Sequence, residues 1–342
     1  MSKEFNPNSA AQDDAGIFGL PFSADESHII IIPVPWEVTV SYGGGTAGGP
    51  EEVLNASMQV DLYHHDFPEL WKKGIYMDEI PQELVTLSES LRPEAEKIIE
   101  AIGQGVDTAN DLGLKISYKA VNQGCEKMIA WVKERSAYWK SKGKIVGLLG
   151  GDHSTPLGYL KYLGENNSDF GVLVLDAHYD LRNAYEGFKY SHASIFYNAL
   201  QEVPQISKLV QVGIRDYCEE EKNYAVSQGN RVHTFFDREI RKSQFTGKNW
   251  DQICKEIVAA LPQKVYVSVD IDGFDPKLCP NTGTPVAGGL EYEEGMHLFN
   301  VLKASGKEII GFDLNEVSPG DSDWDGNVGA RVLFHLCGLA SK

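Results

Sequence analysis

The sequence predicts an α/β fold built on a mainly parallel sheet, and three observations carry that prediction. Short apolar runs of strand length alternate with amphipathic stretches of helix length from one end of the chain to the other. Four of the apolar runs empty directly into acidic or imidazole side chains. No internal repeat, low-complexity segment or linker divides the 342 residues. We therefore expect a single domain over residues 26–342, preceded by a flexible, polar arm over residues 1–25.

The first strand is His28–Pro33, with four consecutive isoleucines. It runs into Trp36-Glu37 and then Ser41-Tyr42-Gly43-Gly44-Gly45-Thr46-Ala47-Gly48-Gly49-Pro50. Those glycines mark a tight loop with access to positive φ, and Pro50-Glu51-Glu52 suits a helix start. The loop lacks the Gly-Lys-Ser/Thr ending of a phosphate cradle, so it reads as a loop flanking a site. Residues 60–90 look irregular. Asp61, His64, His65 and Asp66 cluster there without any partner at ligand spacing, which reads as a surface loop. A helix is expected over Arg92–Leu112. A second follows, with Val121, Cys125, Met128, Ile129 and Val132 on one face.

Ile145–Leu149 is the next strand, ending in Gly150-Gly151-Asp152-His153-Ser154, with a helical stretch after Pro156. The strand 171–175 ends in Asp176-Ala177-His178-Tyr179-Asp180. Alternation along an extended chain sends Asp176, His178 and Asp180 to one side. Tyr190–Ser194 follows, then strands at Leu209–Gly213 and Arg231–Phe235 and a helix over Trp250–Leu261. The strand Lys264–Val269 ends in Asp270-Ile271-Asp272, and a glycine-rich loop, Asn281–Gly289, comes after it. The chain closes with a helix over Tyr292–Ala304, a strand over Glu308–Leu314 with Asn315-Glu316 at its end, and a helix over Asn327–Leu339.

In open α/β sheets, ligands bind beyond the carboxyl ends of the strands. Coincidence would not place Asp152 and His153, Asp176 to Asp180, Asp270 with Asp272, and Glu316 at the same edge. His153, Asp176, His178, Asp180, Asp270 and Asp272 make four carboxylates and two imidazoles. That many acids repel one another unless cations neutralise them. Two divalent ions match the charge, and an oxygen/nitrogen set without thiolate suits manganese or nickel. Two such ions, about 3.5–4 Å apart, can share a water and make hydroxide near neutral pH. Hydrolytic attack on an electrophilic carbon is the chemistry expected.

Composition narrows the partners. A net charge of −18 argues against nucleic acid and anionic membranes. Five dispersed cysteines without a Cys-x-x-Cys fit reduced thiols in a cytoplasmic protein. No run reaches the roughly 18 apolar residues of a membrane span.

Together the segments Gly150–Ser154, Asp176–Asp180 and Ser268–Pro276 resemble the three metal-binding signatures of the ureohydrolase family, which includes arginases and agmatinases. Gly283-Thr-Pro-Val-Ala-Gly-Gly-Leu290 looks agmatinase-like. The resemblance implies a three-layer α/β/α, arginase-like fold with a binuclear manganese site that releases urea from a guanidino group. It implies that His153 and Asp180 bind one ion, His178 and Asp272 the other, and that Asp176 and Asp270 bridge them. Asp180 is also counted among the catalytic residues. Glu316 matches the glutamate that holds the guanidinium, and His192 the histidine that shuttles protons. A homotrimer or homohexamer is the family's usual assembly. Agmatine, or a similar small cationic guanidino compound, is the expected substrate.

Some segments depart from plain agmatinases. Extra residues lie between Pro50 and Gly150. Val34–Gly49 and Ala184–Ser194 look similar to a subgroup that hydrolyses free guanidine with two nickel ions, which is the alternative reading. Tyr179 and Leu181-Arg182 resemble formiminoglutamases, and arginase itself is a further alternative. Aromatic walls from Trp36, Tyr42, Tyr179 or Trp324 would hold a guanidinium by cation–π contact. Two other classes compete: a non-catalytic, metal-stabilised binding protein, and a one-metal deacetylase or amidase on a related fold.

Overall fold

The computed structural model describes residues 5–12, 15–108 and 110–341. Among them, eight strands form one wholly parallel sheet: β1 (Ile29–Val34), β2 (Ile75–Met77), β3 (Ile145–Gly150), β4 (Phe170–Leu175), β5 (Ile206–Ile214), β6 (Val232–Phe236), β7 (Lys264–Asp270) and β8 (Glu308–Asn315). Their spatial order is β2-β1-β3-β8-β7-β4-β5-β6. The last strand in sequence thus lies near the centre of the sheet, between β3 and β7.

Among the described residues, ten α-helices accompany the strands. They are α1 (Gly49–Ser57), α2 (Gln82–Gly103), α3 (Leu112–Ser141), α4 (Leu157–Asn166), α5 (Ile195–Glu202), α6 (Glu219–Ser227), α7 (Asp237–Phe245), α8 (Trp250–Ala259), α9 (Tyr292–Ala304) and α10 (Trp324–Ala340). The isoleucine run of β1 explains the layering. Ile29 and Ile31 join a core with α1, α8, α9 and α10, whereas Ile30, Ile32 and Val34 join a second core with α2, α3, α4 and α5. Strand side chains alternate in direction, so a run apolar at every position needs helices on both faces. The result is the three-layer α/β/α arrangement.

Three expectations change. The helix expected over Arg92–Leu112 begins ten residues earlier, at Gln82, and ends at Gly103. Proline favours a helix's first turn, but here Pro93 sits inside α2. Leu84, Ser88, Leu91, Ala95 and Ile98 keep one buried stripe running past it, and packing of that stripe outweighs a proline cost of about 3 kcal/mol. The stretch 60–90 is less irregular than expected, since it contains β2 and the start of α2. Within the expected arm, Ile17, Phe18 and Leu20 are buried. The Phe18 backbone N–H donates to Ser57 Oγ at 2.9 Å, and its ring meets Phe334 edge-on at 5.0 Å. Residues 1–4, 13 and 14 of that arm lie outside the described residues. No helix among the described residues is long and apolar enough to cross a membrane.

Candidate metal centre and active site

The carboxyl ends of β3, β8, β7 and β4 lie side by side in the sheet. His153 follows β3, Glu316 follows β8, Asp270 ends β7 and Asp176 follows β4. Each is turned inward by local hydrogen bonding. Asp176 accepts the N–H of His178 at 2.6 Å, and Asp272 accepts the N–H of Ala177 at 3.0 Å. Asp270 accepts the N–H of Asp272 at 2.9 Å, capping the short helical turn Ile271–Gly273. Asp152 does the same for the turn after β3, holding Ser154 N–H at 2.9 Å.

The expected strand alternation therefore gives way to tight turns. Asp180 reaches its neighbours through a φ of +52°. Glu316 has a φ of +64°, and both are positions where a non-glycine residue costs about 1–2 kcal/mol. Asp180 is fixed there because its carbonyl accepts the N–H groups of Phe196 and Tyr197. Arg215 fastens the opposite wall, donating to the carbonyls of Asp272, Phe274 and Val286.

All six expected ligands come together. His153 Nδ1 lies 3.1 Å from Asp176 Oδ2, 3.2 Å from Asp270 Oδ2 and 3.4 Å from Asp180 Oδ2. His178 Nδ1 lies 3.0 Å from Asp272 Oδ2 and 3.7 Å from Asp176 Oδ1. Asp176 thus offers one oxygen to each imidazole. Two trios, His153/Asp176/Asp270 and Asp176/His178/Asp272, have ligand atoms within 4.8 Å of one another.

The donor set fits a pair of cations. His153 Nε2 is 3.0 Å from Ser268 Oγ, and that hydroxyl donates to Asp313 Oδ1 at 2.8 Å. A hydroxyl whose proton is used this way can only accept from the ring, so the ring proton sits on Nε2 and the Nδ1 lone pair faces three carboxylates. His153 Nδ1 and Asp176 Oδ2 are both buried without a hydrogen-bond partner. Lone pairs converging in a dry site need positive charge between them.

The titration directions report the same demand. Burial alone would disfavour a charged His153, but the carboxylates of Asp176, Asp180 and Asp270 raise its pKa well above the ordinary value. Burial, then the charge of Asp176, pushes Asp180 up to about 7. Burial, then Asp272 and Asp176, pushes Asp270 well above the carboxylate range.

A cavity of about 160 Å³ opens onto this cluster, and His178, Asp180, Asp270, His192 and Glu316 all line it. Glu316 Oε1 accepts the His153 N–H at 2.8 Å, which fixes the carboxylate against the ligand turn. Burial, then Asp270, raises its pKa well above the usual value. His192 starts a short helical turn capped by Ser191. Burial, then the charges on His178 and His153, lowers its pKa to about 3, so the ring is neutral at pH 7.

The aromatic walls are not the expected ones. Trp36 is wholly buried, Tyr179 is buried with its hydroxyl on Thr234, Tyr42 is 84% exposed, and Trp324 reaches out to the carbonyl of Lys277. Tyr185 and Tyr217 line the cavity instead, with Arg182, Glu221 and Thr284. Residues of this kind, in loops or in the first turn of α6, carry no chemical signature in sequence. The glycine-rich loop does flank the site: Glu37 Oε2 accepts from Gly45 N–H at 2.7 Å and Ala47 N–H at 3.1 Å, while Gly43 N–H reaches the Gly283 carbonyl at 3.2 Å.

Residues 27–338 match the model of the arginase family. The chain belongs to the arginase family. The N(1)-aminopropylagmatine ureohydrolase of Thermus thermophilus is 30% identical over 92% of this chain and 91% of its own. The agmatinase of Pyrococcus horikoshii is 26% identical over 93% of both. Among solved structures, the agmatine ureohydrolase of Thermoplasma volcanium superposes with a TM-score of 0.69 at 23% identity, covering 93% of this chain and 92% of that one. This member of the arginase family is an agmatinase-like ureohydrolase, a hydrolase of C–N bonds in linear amidines.

Proposed function

We propose that the chain hydrolyses agmatine or a closely similar guanidino compound to urea and an amine, using two divalent ions. The observation that carries this reading is the shared carboxylate. Asp176 faces His153 through one oxygen and His178 through the other, and His178 lines one cavity together with Asp180, Asp270, Glu316 and His192. His153, Asp176, Asp180 and Asp270 would hold one ion, and Asp176, His178, Asp270 and Asp272 the other. Bound there, the ions supply a nucleophilic hydroxide near neutral pH. Glu316 Oε2 lies beside Gly283, free of the His153 contact, and receives the guanidinium. Asp180, at the cavity wall, orients the attacking oxygen by hydrogen bonding. Neutral His192 takes up a proton and returns it to the leaving amine.

Manganese suits the carboxylate-rich set, with nickel the alternative. A cytoplasmic homotrimer or homohexamer is the assembly that accompanies this reading. Free guanidine stays as a second reading because the cavity is small, about 160 Å³, and Arg182 places a cation in its wall. Urea release from agmatine, N(1)-aminopropylagmatine, guanidinobutyrate, arginine and guanidine, each with manganese and with nickel, tests both. Turnover of an aliphatic guanidino amine with manganese is the expected result. Turnover of guanidine alone, with nickel, would replace it.

A further inference from the structure

A second group of side chains has metal-ligand character, remote from the cavity. His64 and Asp66 lie in the loop after α1, and His335 lies on α10. Each offers one ligand atom, all within 4.8 Å of one another. The ligand-spaced partner that the sequence around His64 lacks is therefore supplied from near the other end of the chain.

The hydrogen bonding prepares this group. Asn300 Nδ2 donates to Asp66 Oδ2 at 2.9 Å, which turns Asn300 Oδ1 toward His335 Nε2 at 3.1 Å. An amide oxygen can only accept, so the ring proton of His335 sits on Nε2. Nδ1 keeps a bare lone pair. His335 is 1% exposed, and Nδ1 has no hydrogen-bond partner. The ring packs edge-on against His64, centroids 5.1 Å apart. Packing alone is served by a phenylalanine, several of which surround the site. It gives no reason to bury an unpaired nitrogen. His64 Nδ1 accepts the Asp66 backbone N–H at 3.2 Å and stands 3.8 Å from Asp66 Oδ2, so this ring must turn to present a free nitrogen to a metal.

We propose that His64, Asp66 and His335 form an additional divalent-metal site, of zinc type, outside the candidate catalytic centre. Two imidazoles, one carboxylate and a water complete a tetrahedron. Bonds of about 2.0–2.1 Å set ligand atoms roughly 3.3 Å apart. The trio reaches that spacing by small rotations of His64 and Asp66, whose side chains are 28% and 48% exposed. Asn300, on α9, orients both His335 and Asp66, as outer partners do in metal sites. The ion would tie the loop after α1 to the C-terminal helix.

The test is metal counting on the full chain. Chelator-stripped wild type, His64→Ala and Asp66→Asn are equilibrated with Zn2+, and bound metal per chain is measured. His335 is left intact because its burial makes substitution a folding risk. Wild type is expected to hold one equivalent more than either variant. Zn2+ is expected to raise its melting temperature by several degrees more. Urea release by the manganese-loaded variants should stay within twofold of wild type. Equal metal counts and equal thermal shifts in all three proteins would overturn the proposal and leave the trio as aromatic packing. The count difference does not depend on the proposed reaction, so a failure of urea release would not be confused with it.

Discussion

Ser268 is small, buried and silent in the sequence, yet it decides what His153 can do. Its hydroxyl accepts from Nε2 and donates to Asp313, so it holds the ring in the tautomer that faces the carboxylates. Outer partners of this kind change metal affinity by about 10–100-fold. Ser268→Ala is therefore expected to weaken metal binding by that amount, with most activity returning at excess metal, as read by activity against metal concentration. Asp176→Ala should remove both ions and the activity together. A metal-replete, active Asp176→Ala protein would end the two-ion reading. Glu316→Gln keeps the shape and the contact with His153 but loses the charge. It should lower kcat/KM on a guanidino substrate about 10–100-fold, the scale of a charged hydrogen bond of roughly 1.5–3 kcal/mol, with metal content unchanged. At this scale the sequence was legible where residue type is chemically costly. Asp, His and Glu at strand ends have no packing role; His178, Asp180, Asp270, His192 and Glu316 line one cavity, and His153, Asp176 and Asp272 pack against them. Arg182, Tyr217 and Glu221 were not legible as walls, because two ordinary loop residues and one in the first turn of α6 become walls only through tertiary placement.

At the scale of elements, the two glycine-rich loops act as a pair. A Cβ at Gly43 would come within 2.4 Å of the Gly283 carbonyl oxygen, so the close approach of the loops requires glycine there. Gly43→Ala is expected to push Asn281–Gly289 away from Glu316, raising KM while leaving bound metal intact. A KM equal to that of wild type would detach the loop from substrate binding. Strands were read well because their cores are continuous and apolar. α2 was misplaced by a proline whose local preference was overridden by a long buried stripe. β2 was missed because a three-residue edge strand has too little pattern to register. α6 and α7 were missed for a related reason, since few of their residues are buried.

For the whole molecule, the acid cluster makes stability depend on metal. A ligand bound only by the folded chain stabilises it by about 4 kcal/mol at a thousandfold excess over Kd. For a chain of this size, at about 2.1 cal/mol/K of unfolding entropy per residue, that is worth roughly 6 °C in melting temperature. Chelation should lower the melting temperature by that order, reversed on adding manganese back. No shift would mean that the carboxylates are neutralised by protons alone.

The place of β8 in the sheet has a consequence for biosynthesis. Until residues 308–315 arrive, β2-β1-β3 and β7-β4-β5-β6 are two separate half-sheets, each with a bare edge where β8 belongs. His153 stands on one half, and Asp176 and Asp270 stand on the other. A ribosome must therefore release nearly the whole polypeptide before His153 can meet them, so the ion that His153 would share with Asp176, Asp180 and Asp270 has no complete site on an unfinished chain. Premature termination upstream of β8 would yield fragments with two sticky edges and no complete two-ion site to join the halves. Filling of the position that needs His153, and not metal capture as such, thus reports that translation has gone to completion.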